Sequence, residues 1–424
     1  MKPIIAVILP PREGFAPGDT GAVGLLVRRL AAWPGDFAPV VVGAPAADPF
    51  AGIAYRAIRP SWLPGRHTAR YGGGVARAIH AIAPALVEVH NRPELALHLA
   101  ARFPGLPVTL HLHNDPQDMR QARRPADRAR LLARLAGIAT VSNYLRARLL
   151  DGLPDAARAP PACPVVVLPN CLDPREIPPP ADATRAPEIL FAGRMVADKG
   201  ADRFVAACAL ALPRLPGWRA EMIGADRFGP HSPETPWLAA LRPQAAAAGI
   251  ALAGYRPHEA VLAAMARASI VVVPSRWPEP FGLTALEAMA CGAALLCAMR
   301  GGLPEVVGEA ALPIDPDDVP AMAAAIVALA ADPARRAALD GSVREGLALG
   351  NGRYRFAAAD AKTQLYPLTG AARTPTAVRA VAAGDLRDAD PGYDYLIVAH
   401  PRLLDAIQPL AAYRRAHGLR VDVV

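Results

Sequence analysis

Two glutamates, Glu279 and Glu287, lie eight residues apart in the stretch SRWPEPFGLTALEAMACG, Ser275 to Gly292. The stretch follows a β-branched run, Ile270 to Val273, that reads as a buried strand ending at Pro274. After Pro280 come the good helix formers LTALEAMA. The spacing predicts strand, loop and helix, with Glu279 in the loop and Glu287 inside the helix. Phe281, Gly282 and Leu283 fall at the helix's first turn, whose unpaired N–H groups and positive dipole end suit a phosphate. Eight helical residues span about 12 Å. The carboxylates of a glycosidase pair sit roughly 5–9.5 Å apart, so the spacing argues against hydrolysis.

The Glu-x7-Glu spacing with Phe-Gly-Leu inside it resembles the donor-site motif of glycosyltransferase family 4, retaining enzymes of the GT-B fold. The resemblance implies that Glu279, as a catalytic residue, contacts the donor sugar and that Glu287 holds the ribose hydroxyls. It also implies that the backbone at Phe281, Gly282 and Leu283 faces the sugar and diphosphate. A second similar string is EILFAGRMVADKG, in which Gly193-Arg194 follows a strand and Lys199-Gly200 comes five residues later. In the family, the positions of Arg194 and Lys199 neutralise the donor diphosphate. A nucleoside diphosphate gains negative charge as the sugar–phosphate bond breaks, and fixed Arg and Lys donors stabilise it without a metal.

Val108 to Leu112 reads as a strand leading into His113-Asn114-Asp115-Pro116, at the sheet edge where open α/β folds bind ligands. In similar enzymes a His here lies beside the donor sugar. That role falls on His113 as a catalytic residue, with His111 as the fallback, and Asp115 reads as an Asx turn before Pro116. The loop PPREGFAPGDTGAVG lacks the G-x-G-x-x-G of a dinucleotide fold, which disfavours a dehydrogenase. In the family the corresponding loop lines the cleft, usually with paired glycines. Thr20-Gly21-Ala22 stands here instead, and Gly21 is the expected donor contact. Pro169-Asn170-Cys171-Leu172-Asp173 and Gly301-Gly302-Leu303-Pro304-Glu305 resemble two further family strings, and Tyr255 and Arg256 fall where the base would sit. In the family's proposed mechanism the departing phosphate takes the acceptor's proton, so a dedicated base is not needed.

A metal-dependent site would need Asp-x-Asp at a strand end. Asp315-Pro316-Asp317 precedes a helix as an N-cap region, and Asp388-Ala389-Asp390 lies in a Pro/Gly-flanked linker, so no metal is expected. No cofactor is expected either. The implied partners are a nucleoside diphosphate sugar, as substrate, and a glycan or lipid-linked acceptor, with no nucleic acid. Two alternatives stay open: a sugar-nucleotide epimerase or phosphorylase on the same fold, and a catalytically inactive sugar-nucleotide-binding protein.

These residues need elements to hold them. With 424 residues the chain can form two or more domains, and 53% hydrophobic with 5% aromatic residues fits an Ala-packed α/β protein. A net charge of +8 and a pI near 9.5 suit anionic partners without choosing among them. Five cysteines without a C-x-x-C pair speak against a disulfide scaffold or zinc site. MKPIIAVILPP reads as a first strand rather than a signal peptide, and no apolar run is long enough to cross a membrane. The expected location is cytoplasmic, with a peripheral contact of the Arg-rich segment Arg120 to Arg134 at the inner membrane face left open.

Short apolar runs alternate with helical patterns in two series. The expected architecture is α/β of GT-B type, two Rossmann-like domains facing across a cleft. Residues 1–171 form the acceptor domain, 172–187 a Pro-rich linker, and 188–368 the donor domain with a final crossing helix over Tyr354 to Tyr366. A second linker, 369–392, leads to 393–424, which is similar to the opening of a gingipain-type cysteine peptidase domain and is expected to be an inactive truncated remnant.

Overall fold

The computed structural model describes residues 2–32, 37–58, 67–154, 163–178, 185–226 and 234–344, residue 412, and the short strands Ala348–Leu349, Arg353–Tyr354, Tyr395–Ile397 and Val421–Val423. The first sheet contains β1 (Ile4–Ile8), β2 (Ala38–Gly43), β3 (Ala54–Ala57), β4 (Leu86–His90), β5 (Val108–Leu112), β6 (Gly137–Thr140) and β7 (Val165–Val167). All pair in parallel, in the order β3-β2-β1-β4-β5-β6-β7. The described helices of this half are α1 (Ala22–Ala32), α2 (His67–Ile82), α3 (Pro93–Arg102), α4 (Pro125–Arg134) and α5 (Asn143–Leu150). They cover apolar clusters built on Ile8, Val87, Val89, Leu110 and Leu131, and on Val7, Leu9, Phe15 and Val27.

The second sheet contains β8 (Ala186–Ala192), β9 (Arg219–Ile223), β10 (Ile250–Gly254), β11 (Ala268–Val273), β12 (Ala294–Ala298) and β13 (Ala311–Ile314). It is again wholly parallel, in the order β10-β9-β8-β11-β12-β13. Its helices are α6 (Ala201–Ala211), α7 (Pro236–Ala247), α8 (His258–Arg267), α9 (Leu283–Ala290), α10 (Leu303–Val307), α11 (Val319–Ala331) and α12 (Pro333–Arg344). β11 and β12 are buried throughout, which is why they read as unbroken apolar runs. One core cluster joins Phe281, Ala285 and Leu303 of this domain to Val141 and Leu145 of the first, so apolar packing continues across the domain boundary.

Two edge strands were not among the expected runs. β3 is largely exposed, and β13 carries Pro313, which a sheet edge tolerates because no neighbour needs its missing N–H. β8 begins at Ala186, inside the stretch read as linker. Apart from Tyr354, whose short strand Arg353–Tyr354 pairs antiparallel with Ala348–Leu349, the expected crossing helix lies outside the described residues. A separate compact unit, residues 371–424, contains the parallel pair Tyr395–Ile397 and Val421–Val423; the Asp388 and Asp390 motif lies outside the described residues. No described helix is long and apolar enough to cross a membrane.

Candidate active site

In both sheets the strand order reverses beside the first strand of the domain, and ligands of open α/β sheets lie outside the carboxyl ends of the strands at that point. In the second domain, Gly193-Arg194 follows β8, and the loop to Glu279 follows its neighbour β11. Lys199 closes a tight turn, Ala197–Lys199, that ends in Gly200 with φ 71° and ψ 27°. A Cβ on Gly200 would lie 1.9 Å from the Pro274 carbonyl oxygen, so only glycine permits this approach. The Asp198 carbonyl accepts from Arg276 N at 2.9 Å and Trp277 N at 3.0 Å, stitching the turn to the loop after β11.

The outcome is direct contact between two of the expected residues. Lys199 Nζ donates to both Glu279 oxygens, at 2.6 and 2.7 Å. Ser275 Oγ also donates to Glu279, whose side chain is 8% exposed against 26% for Lys199. From the other side, Gly302 N donates to the Glu279 carbonyl at 2.6 Å. A Cβ on Gly301 would lie 2.3 Å from that oxygen, so the Gly-Gly pair seats the Glu279 backbone. Gly282, at φ 98°, stands at the N-cap of α9 with no side chain capping the helix, and Leu283 opens it. Phe281 turns its ring into the core cluster, so any ligand contact there is through backbone.

Glu287 is buried on α9 and its Oε1 lies 2.7 Å from His258 Nε2. Arg29 of α1 approaches the same oxygen at 3.9 Å while also bonding Glu176 at 2.7 Å and the Cys171 carbonyl at 3.0 Å. Tyr255 reaches across to the first domain, donating to the Gly18 carbonyl at 3.1 Å. A concavity beside it is lined by Met195, Gly224, Ala225, Asp226, Leu252 and Gly254.

Residues 186–332 match the family model Glycosyl transferases group 1. The match runs from β8 through α11, the domain that carries Arg194, Lys199, Glu279 and Glu287. Over 154 residues the chain is 35% identical to glycogen synthase of Mycobacterium tuberculosis, covering 35% of this chain and 34% of that protein. Over 157 residues it is 36% identical to D-inositol 3-phosphate glycosyltransferase of Acidothermus cellulolyticus, covering 36% and 35%. The chain thus spans about a third of the length of these relatives. Its fold is similar to that of sucrose-phosphate synthase from Thermosynechococcus elongatus, with TM-score 0.64, 20% identity, and 81% of this chain and 93% of that chain covered. It is similar too to Anabaena HepE in complex with UDP-glucose, with TM-score 0.60, 17% identity, and 80% and 93% covered. The two-domain architecture is GT-B.

In the first domain, Gly21 is engaged differently from expectation. Its N–H donates to Glu13 Oε1 at 2.9 Å, and Gly24 N donates to the same oxygen at 2.8 Å. The chain's own carboxylate therefore takes donors at the start of α1. Burial pushes the Glu13 pKa up against the lowering effect of those two bonds. Asp115 makes the expected turn, accepting from Gln117 N at 2.8 Å, and it pairs with Arg148 at 2.6 Å. Asp315 and Asp317 are both bound by Arg300, at 3.0 and 2.8 Å, and Asp318 caps α11.

His113 is buried, as are His90 and His111, and the parallel register places His90 opposite His111. His90 Nδ1 and His113 Nε2 are 2.8 Å apart, and His90 Nε2 lies 2.7 Å from Glu88 Oε1. Asn91, at φ 56°, accepts from His113 N at 3.1 Å and from Asn114 N at 3.2 Å. Burial and then the neighbouring His90 lower the His111 pKa to about 3, against the pull of Glu88. Burial, then His111 and His90, hold His113 well below the ordinary imidazole value. Among the described residues, the three histidines offer one nitrogen each within 4.8 Å of one another, close enough to share a cation. The hydrogen bond between His90 and His113 already pairs two of their nitrogens.

Glu88, His90, His258 and Ser275 were not singled out from sequence. The usable signal was the period-2 placement of Glu88 and His90 on one face of a strand. The Arg-rich segment is also more structured than a solvated face. Arg128 is 2% exposed and donates to the carbonyls of Leu149 at 2.8 Å, Ala122 at 3.1 Å and Arg123 at 2.7 Å.

Proposed function

We propose that the chain is a glycosyltransferase that moves a sugar from a nucleoside diphosphate sugar to a glycan or lipid-linked acceptor, with retention and without a metal. The observation that carries this reading is the Lys199–Glu279 pair, held at the reversal point of the second sheet beside the N-terminus of α9. The family match over the same domain and the UDP-glucose named with the HepE structure support the substrate class.

In this reading the donor lies between the domains. An ammonium has three N–H groups; Glu279 engages two of them, leaving one for a phosphate oxygen. Arg194 and the N–H groups at Gly282 and Leu283 complete the diphosphate site. Glu287 holds the ribose, exchanging or sharing its bond with His258, and the concavity beside Gly254 takes the base. Glu279 receives hydroxyls of the sugar, and His113 approaches the same sugar from the first domain. As the anomeric carbon–oxygen bond breaks, charge gathers on the leaving phosphate, where Lys199, Arg194 and the helix dipole stabilise it. The acceptor hydroxyl forms the new bond on the face just vacated and gives its proton to the departing phosphate oxygen. The anomeric configuration is thereby kept.

The test is a panel of nucleoside diphosphate sugars followed for nucleoside diphosphate release with mixed glycan and lipid-linked acceptors. At least one donor is expected to turn over, with Glu279→Gln slowing kcat on the order of 10²-fold, as for loss of a transition-state contact. An isomerised donor, or turnover only with inorganic phosphate, would redirect the assignment.

A further inference from the structure

Resting on the placement of His113 in that site, we infer that Glu88 and His90 act as positioning residues that fix which ring nitrogen of His113 carries the proton. The three groups form one hydrogen-bonded line, Glu88 Oε1 to His90 Nε2 at 2.7 Å and His90 Nδ1 to His113 Nε2 at 2.8 Å. Two links and one carboxylate leave little freedom. An ionised carboxylate only accepts, so His90 Nε2 must donate to it. At a pH where His90 is neutral its Nδ1 is then bare and can only accept, so the proton of the second link belongs to His113 Nε2. Burial keeps His113 itself neutral, and its Nδ1 is left as a lone pair.

The polarity has a consequence for recognition. Nδ1 is the ring nitrogen of His113 for which the described residues supply no partner, because Nε2 is taken by His90 and the backbone N–H by Asn91. A bare Nδ1 accepts a hydrogen bond from a sugar hydroxyl and offers nothing to a phosphate or carbonyl oxygen, which has no proton to give. The line therefore makes His113 a reader of hydroxyl groups. It also accounts for a costly local arrangement. Two imidazoles at the sheet edge are 0% and 8% exposed, one strand carries a carboxylate two residues before its histidine, and Asn91 adopts a left-handed φ of 56° to tie down the backbone of His113. His111, stacked at 4.3 Å on His113 with a buried Nε2 that lacks a partner, packs on the same ring without entering the line.

The decisive measurement is nitrogen NMR of the imidazole rings in the full chain labelled at histidine, at a pH above the ordinary imidazole pKa. Wild type is expected to show His113 protonated at Nε2, with Nδ1 bare. Glu88→Ala removes the acceptor that orients His90 and is expected to leave His90 and His113 as mixed tautomers. Glu88→Gln, whose carbonyl can still accept from His90, is expected to restore the wild-type pattern. Circular dichroism confirms that each variant is folded. A His113 protonated at Nδ1 in wild type, or a Glu88→Ala spectrum indistinguishable from wild type, would overturn the inference. This readout needs no turnover, so its failure is separate from failure of the transferase reading. Where a donor is turned over, Glu88→Ala is expected to lower kcat about tenfold, the worth of one hydrogen bond, and Glu88→Gln to recover most of it.

Discussion

At the residue scale, the imidazoles of His111 and His113 stay neutral because the folded chain buries them against one another and against His90. The sign of the resulting pH dependence is fixed. The unfolded chain binds protons at its histidines below the ordinary imidazole value of 6.5, while folded His111 resists down to about 3. Stability is therefore complete above that range and declines as pH falls through it, by up to about 1.4 kcal/mol per pH unit for each such group. Glu88 works in the same direction lower down. Burial alone would raise its pKa, but the bond from His90 outweighs this and holds it at about 2, so its contribution fades as pH falls from 4.5. Unfolding midpoints recorded against pH should drop below 6.5, and His111→Asn should flatten the slope while the variant remains folded. An unaltered slope would mean that His111 is not buried neutral. The positions of Lys199, Glu279, Glu287 and Gly282 on a turn, a loop and a helix were legible in the sequence because each lies in a short local string whose order can be read directly. Glu88, His90 and His258 were not. Glu88 and His90 pair along one strand, two residues apart. The contact of His90 with His113 is supplied by the packing of β4 beside β5, and that of His258 with Glu287 by the packing of α8 on α9, and neither of these is contained in residue spacing. Gly21 shows the opposite failure: the loop was readable, but not the carboxylate of Glu13 that claims its N–H.

At the scale of elements, the Lys199 turn and the loop after β11 form one unit. Asp198 accepts two N–H groups of the loop, and Gly200 lets the two backbones touch. Gly200→Ala introduces a Cβ where the Pro274 carbonyl already sits, at a φ that disfavours any side chain. The expected cost is about 2–4 kcal/mol, the sum of a left-handed residue and local overpacking, read as a fall in denaturant midpoint with unchanged m-value. Weaker donor binding should accompany it, since the turn carries Lys199. A variant of full stability and full affinity would show that the close approach does not position the pair. The alternation of buried strands and helices was readable along the second sheet because β8, β11 and β12 are apolar almost throughout. The edge strands β3 and β13 escaped notice because one is exposed and the other holds a proline.

For the whole molecule, the two Rossmann-like domains are joined by polar contacts as well as by a shared core. Glu305, just inside α10, accepts from Asn143 N at 2.7 Å and Tyr144 N at 2.6 Å, the first two donors of α5 in the other domain. Ser142 takes the third, Leu145 N at 3.1 Å, and donates to the Pro280 carbonyl at 2.6 Å, next to Glu279. One helix start in the first domain is thus capped by the second, beside the loop that carries Glu279. Glu305→Ala should cost about 1–2 kcal/mol from the lost cap and the lost charge at a helix N-terminus. The same change should loosen the domains, seen as a larger radius of gyration in solution scattering. An unchanged radius and midpoint would remove the carboxylate from any part in holding the domains together.

In the proposed site Lys199, fixed on Glu279, holds the diphosphate of an activated sugar. Titration calorimetry of nucleoside diphosphate sugars into wild type and Lys199→Met tests it most directly. Wild type is expected to bind at least one donor saturably and Lys199→Met at least tenfold more weakly, with the variant still folded. Equal affinity in the two proteins would contradict it.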